Sequence, residues 1–521
     1  MPDVAVPLAR EVRISLTLRN SGFVLTLLAV VRFLIQLAGI NHYGYFRDEL
    51  YYIACGEHLA WGYVDQPPLI AFVAWTARHL FGTSLFATRI FPALAGAVIV
   101  YCTGRLAREL GGGVYAEFLA AITILLAPSY LAFDSFLSMN AFEPLIWLLC
   151  AWIVVRIVKG ADPRWWLAFG ALSGVGLENK HTMLVFGFAV VAGLILAGRA
   201  RLFTSKWVWI AAALALALFL PNLMWEARHG WPQIEVVRNG EQYKILHISA
   251  VQFIFEQVLF LQPLALPVWL AGLGWFLFNE EGKRYRFLAW AYLMVMAIFI
   301  GFDGKSYYAI PFYPMLIAAG GVILEKYFAA ANRRWLAPAY AILLVIVGLI
   351  TLPFGVPILP VNTFIKYSNL LPYARSVKTE RDSPTELPQL YAEMLGWDQM
   401  AKQVARVYHS LPPAEQSSCA ILAGNYGEAG AIDLYGPELR LPKAISGHNS
   451  YYDWGPRDYT GECVIVFGER ADEFKSLFAE SEFVTTITNP YSTAERNVHV
   501  YICRKSIQPL AELWPRFKMI I

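Results

Sequence analysis

Between residues 21 and 352 the chain repeats apolar runs close to twenty residues long, the length a helix needs to cross the hydrocarbon core of a bilayer. Lipid offers no hydrogen-bond partners, so each such run must satisfy its own backbone and is helical. The runs fall at 21–39, 86–106, 114–132, 140–158, 165–178, 181–198, 207–225, 253–278, 287–302, 309–325 and 336–352, which makes eleven expected spans. From about residue 363 charge and proline return to ordinary levels. Composition agrees: 16% of the residues are charged, where a soluble chain carries about a quarter. The expected fold class is an all-α polytopic membrane domain over 1–352, followed by a soluble α/β domain over 363–521 that is long enough for its own core.

Short basic loops set the orientation, because lysine and arginine stay on the cytoplasmic side. Arg105 and Arg108, Arg156 with Lys159 and Arg164, Arg199 with Arg201 and Lys206, Lys283 with Arg284 and Arg286, and Lys326 with Arg333 and Arg334 occupy alternate loops. They fall on the same side as Arg10, Arg13 and Arg19, which precede an expected uncleaved first span. The N-terminus is therefore expected in the cytoplasm and the C-terminal domain outside it. The net charge of +3 is assigned to these loops. No basic tract with interleaved aromatics points to nucleic acid.

The opposite loops carry the chemistry. Loop 40–85 holds Asp48, Glu49, Glu57 and Asp65, with two short helices expected along the membrane interface, one after Leu50 and one started by Pro67-Pro68. Segment 129–143 holds Asp134, Asn140 and Glu143, and junction 178–181 reads Glu178-Asn179-Lys180-His181. Loop 226–250 opens with Glu226, Arg228 and His229, and loop 302–308 contains Asp303, Lys305, Tyr307 and Tyr308. Ionisable residues at membrane depth are costly and read as functional. Gathered at the mouths of consecutive spans, they describe a cavity that opens outward.

In the tail, 397–409 reads as a helix, 420–423 and 464–467 as short buried strands, 471–479 as a helix and 498–503 as a strand. The loops Gly424-Asn425-Tyr426-Gly427-Glu428 and 446–452 are polar and aromatic, of the kind that binds something small or flexible. Cys55, Cys102 and Cys150 lie in or near the membrane part. Cys419, Cys463 and Cys503 lack metal-ligand spacing and read either as buried thiols or as one disulfide and one thiol.

Asp48-Glu49, Tyr51-Tyr52 and Trp61-Gly62-Tyr63-Val64-Asp65-Gln66-Pro67-Pro68-Leu69 follow one another in the first outer loop. With Pro221-Asn222, His229-Gly230-Trp231-Pro232 and Lys305-Ser306-Tyr307-Tyr308, they resemble the bacterial lipid-dependent glycosyltransferases of families 39 and 83. That family is related to protein O-mannosyltransferases and lipid A aminoarabinose transferases, and its first outer loop reads approximately D-E-x-Y-Y then W-G-Y-x-D-H-P-P-L. The resemblance implies the C-type glycosyltransferase fold and an inverting transfer from a polyprenyl-phosphate sugar. The acceptor would be an envelope glycan, lipid (lipid A included) or protein, reached at the outer face of the inner membrane. It implies Asp48 as the base or orienter of the acceptor hydroxyl, with Glu49 and Glu143 as further catalytic candidates. It implies Lys305, Tyr307, Tyr308, Arg228 and Lys180 around the donor phosphate, and Tyr51, Tyr63, Asp65, Gln66 and Asn140 in the substrate cavity.

Two departures stand out. Gln66 replaces a basic residue, and Ser138-Met139-Asn140 puts an amide where relatives have an acidic residue, with Glu143 one helical turn on. No organic cofactor is implied. Some relatives bind a divalent cation at positions comparable to Asp65 and His229; two ligands fall short of a site, and a hydrogen-bonded loop histidine is the competing reading. The rival functions are a transporter or flippase of a lipid-linked glycan and a non-catalytic envelope assembly protein. A transporter usually shows repeat symmetry with broken helices near the midplane.

Overall fold

The computed structural model describes residues 21–243, 246–371, 385–492 and 495–521; the N-terminal arginines lie outside the described residues. The membrane part runs α1 (Ser21–Gly39), α2 (Arg47–Glu57), α3 (Leu69–Phe81), α4 (Leu85–Glu109), α5 (Val114–Leu125), α6 (Pro128–Phe133), α7 (Met139–Val158), α8 (Trp165–Asn179) and α9 (Met183–Leu196). It continues through α10 (Lys206–Arg228), α11 (Pro232–Tyr243), α12 (Ala250–Leu261), α13 (Leu266–Phe278), α14 (Arg286–Gly301), α15 (Tyr313–Phe328), α16 (Leu336–Thr351) and α17 (Val361–Leu370). Each expected span corresponds to helix. Among the described residues seven helical stretches are long and apolar enough to cross a membrane, and α5 and α9 are shorter apolar helices.

Two expectations change. The run 253–278 is not one straight span: α12 and α13 meet at 99°. Pro263 lacks an N–H and disfavours the helical region for the residue before it, and Gln262 turns the chain at φ 72°. The stretch after Leu50 is a helix, as expected, but it is covered by protein rather than exposed along one face. In α2 every residue from Glu49 to Gly56 is buried, because the helix is sandwiched between the membrane part and the C-terminal domain.

Buried charges tie the bundle together. Arg32 of α1 pairs with Asp134 and donates to the Leu125 carbonyl at 2.7 Å, which makes Asp134 a structural residue. Glu325 of α15 accepts from the Tyr115 and Ala116 amides at 3.0 and 3.2 Å, satisfying orphan donors at the start of α5.

The C-terminal domain is a five-stranded sheet with helices. Its strands are β1 (Cys419–Ala423), β2 (Ile445–Ser446), β3 (Cys463–Gly468), β4 (Phe478–Thr488) and β5 (Asn497–Ser506), in the order β2-β1-β3-β5-β4. β1 is parallel to β2 and to β3, while β5 is antiparallel to β3 and β4. β1 and β3 are buried throughout, as parallel strands covered on both faces must be. After α18 (Gln389–Ala392) come α19 (Trp397–Ser410), α20 (Pro413–Gln416) and α21 (Tyr426–Leu439). The expected helix 471–479 ends at Phe474, and β4 begins at Phe478. β4 is an edge strand with most of its residues exposed, so it carries no buried apolar run to read. Cys419 and Cys463 are register partners on β1 and β3 and form a disulfide; Cys503 is a buried thiol.

Candidate active site

A cavity of about 650 Å³ opens where loops of the membrane part meet the C-terminal domain. Asp48, Tyr51, Asp65, Asn140, Lys180, Lys305, Tyr307 and Tyr308 all line it. Residues from five separate loops and helix ends of the first 308 positions thus converge on one space, joined there by Glu393 and Tyr426 of the C-terminal domain.

Carboxylates and phenols meet around the start of α2. Asp48 stands in the first turn of α2, where a carboxylate is favoured by the helix dipole. Its Oδ1 accepts from the Tyr426 hydroxyl at 2.9 Å. The Tyr51 hydroxyl donates to Asp65 Oδ1 at 2.8 Å and lies 2.8 Å from Ser450 Oγ. Burial pushes the Tyr51 and Tyr52 phenols well above their ordinary range, with Asp65 and Asp48 respectively adding to it, so both keep their protons.

Two lysines meet a tyrosine pair in the same lining. Lys180 Nζ donates to Asn140 Oδ1 at 2.8 Å and to Glu143 Oε2 at 3.0 Å. It also sits 4.3 Å from the centre of the Tyr308 ring. Lys305 Nζ lies 5.9 Å from the centre of Tyr307. Two ammonium groups far apart in sequence therefore flank one tyrosine pair. Glu143 is buried and accepts from Lys180 and Thr182. It holds the lysine and is not part of the cavity lining. Asn140 shares the same ammonium.

Glu49, paired with Asp48 in the sequence, points away from the cavity. It is fully buried, bound by Arg89 Nε at 3.0 Å and Nη2 at 2.7 Å, and accepts from the Phe46 and Leu137 amides at 2.8 Å each. Adjacent helical residues face about 100° apart, and here that angle separates a cavity group from a brace. Tyr63 is buried with its hydroxyl on the Cys55 and His58 carbonyls, at 2.9 and 3.1 Å. Gln66 is buried behind the loop. Arg228 and His229 are exposed at the end of α10. His229 stacks on Trp225 with ring centres 4.0 Å apart, and its Nδ1 lies 2.8 Å from the Trp225 carbonyl. Among the described residues no group of three or more His, Cys, Asp or Glu side chains is placed to hold a metal, so Asp65 and His229 do not grow into a ligand set.

Arg47 and Glu393 carry no sequence signal as site residues. Arg47 lines the cavity, and its guanidinium is 3.4 Å from Glu393. The polar, aromatic loops 424–428 and 446–452 are the signals for the C-terminal contribution, through Tyr426 on Asp48 and Ser450 on Tyr51.

Residues 65–225 match the model of a family described as dolichyl-phosphate-mannose-protein mannosyltransferase. That segment contains Asp65, Asn140, Glu143 and Lys180, and leaves Asp48 and Lys305 outside it. No curated protein matches the chain. Two crystal structures of ArnT from Cupriavidus metallidurans, one in the apo state and one bound to undecaprenyl phosphate, are similar to it at a TM-score of 0.61 and 14% identity. Each likeness covers 92% of this chain and 98% or 97% of the other. The chain has the ArnT fold, and the resemblance read from the loop motifs is borne out.

Proposed function

We propose that this chain, with the ArnT fold and a mannosyltransferase-like segment, is an inverting glycosyltransferase. It moves a sugar from a polyprenyl-phosphate donor to a hydroxyl of an envelope acceptor at the outer face of the inner membrane. The observation that carries this reading is the convergence on one cavity of the Asp48 carboxylate with two lysines, Lys180 and Lys305, that sit against the Tyr307–Tyr308 pair.

The chemistry follows from those groups. Asp48 accepts the proton of the acceptor hydroxyl as its oxygen bonds to the anomeric carbon. The bond from that carbon to the phosphate oxygen breaks, and its electron pair leaves with the polyprenyl phosphate. Lys180 and Lys305 neutralise the phosphate as charge develops on it, and the Tyr307 and Tyr308 hydroxyls are suited to donate to its oxygens. One displacement inverts the anomeric centre. No nucleotide site is needed, because the lipid phosphate is itself the leaving group.

The Cys419–Cys463 disulfide supports the placement of the C-terminal domain outside the cytoplasm, since such bonds persist in oxidising compartments. The test is turnover by purified protein in nanodiscs supplied with a polyprenyl-phosphate sugar and envelope glycolipid acceptors. Release of polyprenyl phosphate with a product of opposite anomeric configuration is expected. Transbilayer movement of the donor without cleavage would replace this reading with a flippase.

A further inference from the structure

The wall of the cavity nearest Asp48 comes from the C-terminal domain, and its construction is specific. Helix α21 crosses α2 through two glycines on one face. A Cβ on Gly427 would stand 2.5 Å from Arg47 Cγ, and one on Gly430 would stand 2.9 Å from Leu50 backbone and side-chain atoms. Small residues at this crossing let the two helices approach closely, so the first turn of α21 meets the first turn of α2. That turn is itself fixed: Asn425 and Glu428 form a reciprocal capping box, with the Glu428 amide on Asn425 Oδ1 at 3.0 Å and the Asn425 amide on Glu428 Oε2 at 3.1 Å.

Tyr426 is the first residue of this turn and is held from several sides. Its ring stacks on Tyr51 with centres 4.7 Å apart, and its amide donates to His448 Nδ1 at 3.3 Å. It is buried, yet it lines the cavity, and its hydroxyl donates to Asp48 Oδ1 at 2.9 Å. A short carboxylate in a helix's first turn still rotates about its side-chain bonds. A phenol fixed by stacking limits that freedom by holding Oδ1.

We propose that Tyr426 is a positioning residue that acts through Asp48, so the C-terminal domain completes the transfer site rather than merely covering it. This rests on the reading of Asp48 as the base. Tyr426→Phe keeps the stacked ring and removes one hydrogen bond to a charged group, which predicts a fall in kcat of roughly tenfold to hundredfold. Donor affinity is expected to stay the same, and the melting temperature to fall by no more than a few degrees.

The decisive measurement is a double-mutant cycle with Asp48→Asn in the full-length protein, with a radiolabelled polyprenyl-phosphate sugar to follow slow turnover. If Tyr426 acts through Asp48, Tyr426→Phe slows the wild-type background and adds no further loss once Asp48 is an amide. Equal losses in both backgrounds would overturn the proposal and give Tyr426 a role elsewhere. Normal turnover by Tyr426→Phe beside an inactive Asp48→Asn would overturn it while leaving the base in place. Normal turnover by Asp48→Asn would remove the base, and this proposal with it.

Discussion

Lys180 offers the sharpest separation of function from folding. Its ammonium is held by Asn140 at 2.8 Å and Glu143 at 3.0 Å and lies over Tyr308, so it enters the cavity already oriented. Lys180→Met removes one charge-assisted contact to the donor phosphate, worth about 1.5–3 kcal/mol, or roughly tenfold to 150-fold in Kd. The same change leaves Glu143, only 3% exposed, without its cation. Breaking a buried pair costs about 3–5 kcal/mol, and the lower end applies because Lys180 keeps 13% exposure. Lys180→Met combined with Glu143→Gln removes both charges, so the buried carboxylate no longer needs a partner. The double variant should recover most of the melting temperature and still bind polyprenyl phosphate weakly. Both quantities are measurable in nanodiscs, by thermal unfolding and by titration with a short-chain polyprenyl phosphate. Recovery of affinity together with stability would refute the phosphate role and leave Lys180 a purely structural cation.

Asp48→Asn should lower turnover by about 10²–10⁴-fold with donor binding intact, as measured with purified enzyme; near-normal turnover would move the base elsewhere. Arg89→Leu leaves Glu49 as an unpaired buried carboxylate and should destabilise the protein by about 3–5 kcal/mol; an unchanged melting temperature would refute the brace. A reporter active only in the cytoplasm, fused after Ile521, should be silent, and activity there would reverse the topology. In the C-terminal domain burial holds the Glu428 carboxyl well above its usual value of 4.5, with Glu495 and Glu469 adding to it and the Glu469 and Asn425 amides opposing. The folded state therefore binds this proton more tightly than the unfolded state. Its contribution is full below about pH 4.5 and is lost as pH rises above that value. Glu428→Gln should flatten that decline in a melting series against pH, and an unchanged slope would exclude Glu428 as its source.

Much of this protein is legible from local pattern, because a bilayer imposes its demands on consecutive residues. Span-length apolar runs and the acidic, basic and aromatic residues between them mark the helices and the gathering of Asp48, Asp65, Lys180 and Lys305 on one cavity. The buried strands 420–423 and 464–467 are legible for the same reason, as continuous apolar runs. Which side chains meet depends on packing between distant segments. Only the tertiary structure turns Glu49 onto Arg89 while its neighbour Asp48 faces the cavity, ties Glu143 to Lys180, and assigns Asp134 to Arg32. It also breaks the apolar run at Gln262, where a proline overrides hydropathy, and pairs Cys419 with Cys463 through strand register. The contact between Tyr426 and Asp48 lies furthest from local pattern. The two residues are 378 positions apart, and they meet because two glycines on α21 allow its close approach to α2.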